Sequence, residues 1–470
     1  MLRNAPFFMN GLTIAKQSAI ITVLVSEFGR VPNTVIRVFT VSFTHWVSGT
    51  FFVSGPIAYI IGHKPAVFRG CWFLLYIKAV IPSQRKEHVI MLKQCQDSYH
   101  NTFGTYEDML DYHEDQAKNS LCHRCQVNTL QVEPLDKASP LYGSLSDFAS
   151  GVTQEAVDDT AENLGLAIRV NGDLYPVRET AYKSLLDRAK IGGTALPKLG
   201  RDVLANVLNA CLQLFPAEAL LLIRDEKVSA VHSGDSVDYS ILPINELLAT
   251  LKDKLDDRFP GAEFEAGYCD HSLVSASWSM PNQREELLGT YVKTLTATGK
   301  GAYASKLTPG IRFMTSDTGV ASAKVSALLV GGQHPIHIGK CVAVDHRHQS
   351  KISDFTDVLD QLFAQFGDVI AKLEALLDIT LDYPVNAMTR VCKKLSLPKK
   401  AAVEAISMFE MAYGGGPATA HDVFLALQEI PFILKTQNTP ESKMLEVEEN
   451  MARALTLKWS DFDLAKAVSY

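Results

Sequence analysis

Ten apolar residues between Phe355 and Leu377 constrain this chain more than any other feature of it. Phe355, Val358, Leu359, Leu362, Phe363, Phe366, Val369, Ile370, Leu373 and Leu377 recur at i, i+3 and i+4. The pattern runs for roughly six turns, and a helix with so long an apolar stripe must bury it against other elements. Helical spacing continues downstream over 385–395, 398–413, 419–430 and 441–455. Gly414 and Pro417 end one of these helices, and Thr419 with Asp422 makes a capping-box start for the next.

Upstream, strand and helix signals alternate. A helix is predicted over 153–164, where Thr153 caps and Glu155 with Asp158 suits the positive helix end. A strand over 166–170 leaves through the Asn171-Gly172 turn, a strong hairpin signal. Amphipathic helices follow over 179–190 and 199–215, the second ended by Pro216. Segment 219–233 reads as two strands around Asp225-Glu226, and 243–259 as a helix. Strands are predicted over 263–269, 273–278, 310–315, 323–330 and 336–344, with a helix over 283–295 between them. This order implies an α+β fold: a mixed, largely antiparallel sheet region with packed helices over 128–350, then a helical region over 351–470. Neither an internal repeat nor a low-complexity tract interrupts it.

The first ninety residues are a different kind of sequence. Residues 1–86 hold nine Lys or Arg against one acid, Glu27, so within a net charge of −7 the remainder carries −15. Residues 38–61, VFTVSFTHWVSGTFFVSGPIAYII, contain no charged side chain. About 20 such residues suffice for a membrane-spanning helix. Lys64, Arg69, Arg85 and Lys86 would then mark the cytoplasmic side. Against a span stand the many Thr, Ser and β-branched residues and the internal Gly55-Pro56. Three readings of 1–90 stay open: a segment outside the natural product, with Met91 as the start, a membrane anchor, or a soluble subdomain. A polar leader over 91–127 joins this segment to the body.

With 47% hydrophobic and 21% charged residues, the chain can bury a full core. An acidic body argues against a broad basic face coating duplex DNA. The eight cysteines are scattered, several of them in apolar runs, as in a reducing compartment, so a cytoplasmic location is expected.

Several segments together resemble one family. They are VNGDLYPVRETAYKSLLDRAKI (170–191), LLLIRDEKVSAVHSGDSVDYSILPINELL (220–248), FEAGYCDHSLVSASW (264–278), IRFMTSDTGVASAKV (311–325) and PATAHDVFLAL (417–427). In this order they are similar to the phage- and plasmid-related proteins grouped as domain of unknown function nine-three-two, over about residues 128–465. The resemblance implies a gene of mobile elements and a cytoplasmic product, and it supplies no catalytic residues.

Two constellations carry candidate chemistry. Lys293, Lys300, Lys306 and Arg312, with Tyr291 and Tyr303 interleaved, form the best basic-aromatic cluster of the body. Their GKGAYASK stretch reads as a flexible loop, which is able to hold a nucleic-acid backbone while aromatics stack on bases. A solvated surface loop has the same composition. In HPIHIGKCVAVDHRH (334–348), His346 and His348 with Asp317 and Asp270 offer imidazole and carboxylate ligands at strand ends. The structural alternative is a buried strand with polar residues at its two ends. Cys122 and Cys125 have half of a zinc-site spacing, without a second pair nearby. No phosphate-binding loop, dinucleotide fingerprint, HExxH or GxSxG is present, so no cofactor is implied. The leading expectation is a non-enzymatic accessory of mobile-element DNA metabolism that contacts single-stranded nucleic acid. A metal-dependent enzyme and a protein-interaction module are the alternatives.

Overall fold

The helix demanded by the stripe spans Ile352–Ala375 and buries Phe355, Leu359, Leu362, Phe363, Phe366, Ile370 and Leu373. The computed structural model describes residues 93–470 except 332–334, 415 and 438, and the backbone of five strands in the first ninety residues. The chain divides into two units, Met1–Ile90 and Met91–Tyr470.

In the first unit, Ala19–Ser26, Ile36–Val47 and Thr50–Val53 form an antiparallel meander, and Ala58–Ile61 pairs with Lys64–Val67. The charge-free stretch 38–61 therefore contains strands wherever its backbone is described, and its other residues lie outside the described set. Among the described residues, no helix is long and apolar enough to cross a membrane.

The second unit begins with β1 (His100–Phe103), α1 (Tyr106–Asn119) and β2 (Leu121–Gln126). The segment read as a polar leader is thus built into the fold. Next come β3 (Gln131–Pro134), α2 (Gln154–Glu162), β4 (Leu166–Val170), β5 (Asp173–Pro176), α3 (Ala181–Ala189) and α4 (Arg201–Leu212). They are followed by β6 (Glu218–Arg224), β7 (Lys227–Ser233), α5 (Ile244–Arg258), β8 (Glu263–Asp270), β9 (Val274–Ser279) and α6 (Arg284–Ala297). Strands β10 (Thr308–Thr315), β11 (Ala323–Val330) and β12 (Ile336–Val344) precede α7, the helix over Ile352–Ala375. The chain closes with α8 (Pro384–Lys394), α9 (Lys399–Tyr413), α10 (Ala420–Leu427), α11 (Glu429–Thr436) and α12 (Glu441–Ala452).

Six strands form one antiparallel sheet in the order β12-β11-β10-β9-β8-β1. Trp278, Ile311, Phe313 and Val325 on this sheet share one core with α5, α6, α7 and the C-terminal helices. The helical region is therefore not a separate body: its apolar faces cover the sheet. Two smaller antiparallel sheets, β7-β6-β2 and β5-β4-β3, enclose a second core with α3 and α4. The fold is α+β, as the order of signals implies. The sequence reads 299–306 as a flexible loop, yet Gly301–Ala304 is a helical turn with Ala304 fully buried.

Candidate functional site

Helix α1 starts where Thr105 caps the Asp108 amide, with Glu107 and Asp108 in its first turn. Its inward residues are Tyr106, Met109, His113 and Gln116, spaced as one helix face. Tyr106 and Met109 enter the large core, whereas His113 and Gln116 reach the junction between the two sheet systems. This polar half of the stripe is why the helix is invisible to a search for apolar periodicity.

The β6–β7 hairpin supplies the opposite wall. Its turn residues Asp225 and Glu226 both have positive φ, 47° and 70°, the geometry that matches a tight hairpin to strand twist but strains residues other than glycine. Side-chain bonds hold them there: Asp225 accepts from the Gln116 amide at 3.2 Å, and Glu226 accepts from the Thr153 backbone and hydroxyl. Arg224, on the shoulder of the turn, reaches across to Asp317 in the loop after β10, with contacts of 2.5 and 3.2 Å. Burial favours the neutral form of Asp317, but the guanidinium outweighs it and holds the carboxyl below its ordinary value. Against the same desolvation, Asp317 keeps Arg224 above its own.

Behind this pair stands a stack of three rings. His232 and Tyr239 lie 3.5 Å apart at 4°, and His346 follows Tyr239 at 5.8 Å and 9°. The Asp317 carbonyl accepts from the Tyr239 hydroxyl at 2.8 Å and from His232 Nε2 at 2.7 Å. A carbonyl only accepts, so His232 carries its proton on Nε2. Burial pushes His232 down to about 4, and burial with the nearby Arg224 does the same to His113, so both are neutral at pH 7.

Between α1, the β2-β6-β7 sheet and the loop before α5 lies a cleft of about 180 Å³. Its wall is apolar along Leu220, Leu222, Ile241 and Ile244, and polar at His113, Gln116, Asn245 and the Arg224–Asp317 pair. His113 Nε2, Gln116 Oε1 and Asn245 Oδ1 are buried, and among the described residues none has a hydrogen-bond partner. Buried polar atoms are nearly always paired, so three orphans around one cleft single this place out.

The proposed metal ligands are not assembled. Strand β12 ends at Val344, and His348 sits in a left-handed turn (φ 57°), so it does not share a strand face with His346. His346 bonds Thr315 and the Ser240 carbonyl. Asp317 is committed to Arg224, and Asp270 caps its own turn by accepting from Ser272 and Leu273. Among the described residues, no three His, Cys, Asp or Glu side chains are grouped to hold a metal ion. His334 lies outside the described residues. Cys122 and Cys125 fall on opposite faces of β2, an odd step apart.

The basic-aromatic residues are placed close in sequence but are largely engaged within the fold. Lys300 pairs with Asp422, Arg312 with Glu448 and Lys293 with Glu285. Tyr303 packs against the large core, and Lys306 is exposed. The site residues that sequence reasoning missed are Gln116, Arg224, Tyr239 and Asn245. They come from four segments, and no local spacing connects them. Compared with family models, curated proteins and solved structures, the chain finds no match. The resemblance to phage and plasmid proteins rests on the quoted segments alone.

Proposed function

We propose that this protein binds a small molecule in the cleft between α1 and the β2-β6-β7 sheet, serving a mobile element as a non-enzymatic accessory. One observation carries the binding role: three buried polar atoms that find no partner among the described residues surround one cleft. Concave sites at the junction of substructures, apolar with a few placed polar groups, are the usual form of ligand pockets. The mobile-element setting is taken from the sequence resemblance. Contact with single-stranded nucleic acid through Lys293, Lys300, Tyr303, Lys306 and Arg312 has less behind it, because Asp422 and Glu448 already pair Lys300 and Arg312, leaving Lys306 and the exposed Lys293.

The test is a fragment screen by ligand-observed NMR on the full chain beside its Ala117→Trp variant. Ala117 lines the cleft from the exposed side of α1, so an indole there obstructs the cleft without entering the core. Fragments that bind the native chain and not the variant are expected. A screen in which no fragment distinguishes the two would overturn the assignment.

A further inference from the structure

We propose that the ligand of the cleft is an uncharged single-ring molecule bearing N–H donors, of the size and kind of a free pyrimidine base. The inference rests on the binding role assigned above and adds the chemistry of the ligand.

Charge comes first. The ionised side chains on the wall are Arg224 and Asp317, and each is the other's bidentate partner. His113 and His232 are neutral. An ionic ligand would find no unpaired counter-charge among the described residues of the wall, which disfavours it. Among the described lining residues there is no lysine, and the one arginine is already paired, which speaks against a phosphate in the cleft and favours a free ring.

Hydrogen-bond polarity comes next. The Gln116 amide nitrogen donates to Asp225, and a carboxylate only accepts, so the orientation of that amide is fixed. Its orphaned end is therefore an acceptor, Oε1, and the matching ligand group is a donor. Asn245 presents a further unpaired amide atom, and the neutral imidazole of His113 offers one more polar contact at Nε2. All three atoms are closed to solvent in the wall. They belong to side chains that line the cleft.

Size and surface complete the description. About 180 Å³ slightly exceeds the cavity of roughly 150 Å³ that holds benzene in an engineered protein core. One ring with two or three polar substituents fits, and a purine nucleoside does not. Leu220, Leu222, Ile241 and Ile244 suit the faces of such a ring.

Calorimetric titration of the full chain with uracil, 1,3-dimethyluracil, benzene, benzoate and a short oligothymidylate tests this. Uracil is expected to bind on the order of tenfold or more tighter than its dimethyl analogue, since a buried acceptor left without its donor costs that much. Gln116→Met and, independently, Asn245→Leu should erase the preference, and Ala117→Trp should erase binding. If dimethyluracil or benzene binds as well as uracil and Ala117→Trp blocks it, the donor assignment falls while the cleft stands. Benzoate binding tightest overturns the neutral class, and oligothymidylate displacing uracil overturns the free ring. Binding of none of them, alongside fragments that do bind, overturns the ligand class alone. Failure of every fragment overturns the cleft as well.

Discussion

The turn from Arg224 to Lys227 has a cation on each shoulder, and the two lead to opposite outcomes. Lys227 has no exposed surface and meets Asp97 at 3.0 Å and Asp159 at 2.5 Å. Arg178, equally buried, spends its donors on Asp97, Ser229 and the carbonyls of Gln94 and Gln96. In that cluster the charges and their donors are matched, and the result is a staple that binds the segment around Asp97 to α2 and β7. Around Arg224 the pair itself is matched, yet three polar atoms beside it are not. A saturated buried network stabilises a fold, whereas an unsaturated one leaves groups for water, an ion or a ligand to complete.

The comparison breaks first at Asp97. Asp97→Ala leaves Lys227 and Arg178 buried with fewer partners, and removing one member of a buried ion network costs about 3–5 kcal/mol. Urea unfolding of the full chain checks this. A loss below about 1 kcal/mol would mean that the staple does not hold the segment, since that is the range of exposed pairs.

The histidines sharpen it next. His113 in the cleft and His421 beside Tyr291 are both held down at about 4, chiefly by burial, against about 6.5 in an unfolded chain. Between these values the unfolded chain binds more protons, so the stability these groups contribute is complete above pH 6.5 and is lost as pH falls toward 4. For each, the loss is at most roughly 3 kcal/mol. His113→Gln should leave stability at pH 7 nearly unchanged, because His113 Nε2 has no protein partner, and should flatten the acid limb. Denaturation midpoints at pH 4 to 7 measure it, and an unchanged limb would place another group in control.

These residues also mark what the sequence made legible. The α7 stripe, the first strand of the β6–β7 hairpin and the strands over 310–344 announce themselves because their inward positions are mostly apolar, so burial and period largely coincide. Helix α1 does not, because His113 and Gln116 occupy inward positions where the period calls for apolar residues. Tyr303 fails for another reason. Its neighbours Gly299, Lys300 and Gly301 are the composition of a solvated loop, yet the chain turns helical there and packs the ring inward. The site itself was out of reach: Arg224 and Asp317 are 93 positions apart, as are no two residues of a local motif.

A smaller effect separates pairing from site-building at Arg224. Arg224→Leu should cost about 2 kcal/mol, below the full buried-pair value because the Asp317 side chain keeps 24% of its exposure. The double variant Arg224→Leu with Asp317→Leu should cost less than the two single losses added together. Simple additivity in the unfolding free energies would show that the two groups act independently.

The smallest effect belongs to Lys293, and it tests the nucleic-acid reading directly. Its pair with Glu285 at 3.4 Å leaves the two side chains 77% and 75% exposed, and such pairs contribute less than about 0.5 kcal/mol. Stability of Lys293→Ala should therefore be unchanged within error. Binding is the sharper readout. On a single strand, each phosphate contact removed lowers the log–log salt slope of binding by about 0.7. Lys300 and Arg312 are already matched to Asp422 and Glu448, so what remains for a phosphate backbone is Lys293 and Lys306. Replacing both with Ala should leave any oligonucleotide affinity and its salt slope as they were. A slope reduced by about 1.4 would show that these lysines reach phosphates, and would return the 293–312 segment to the centre of the functional question.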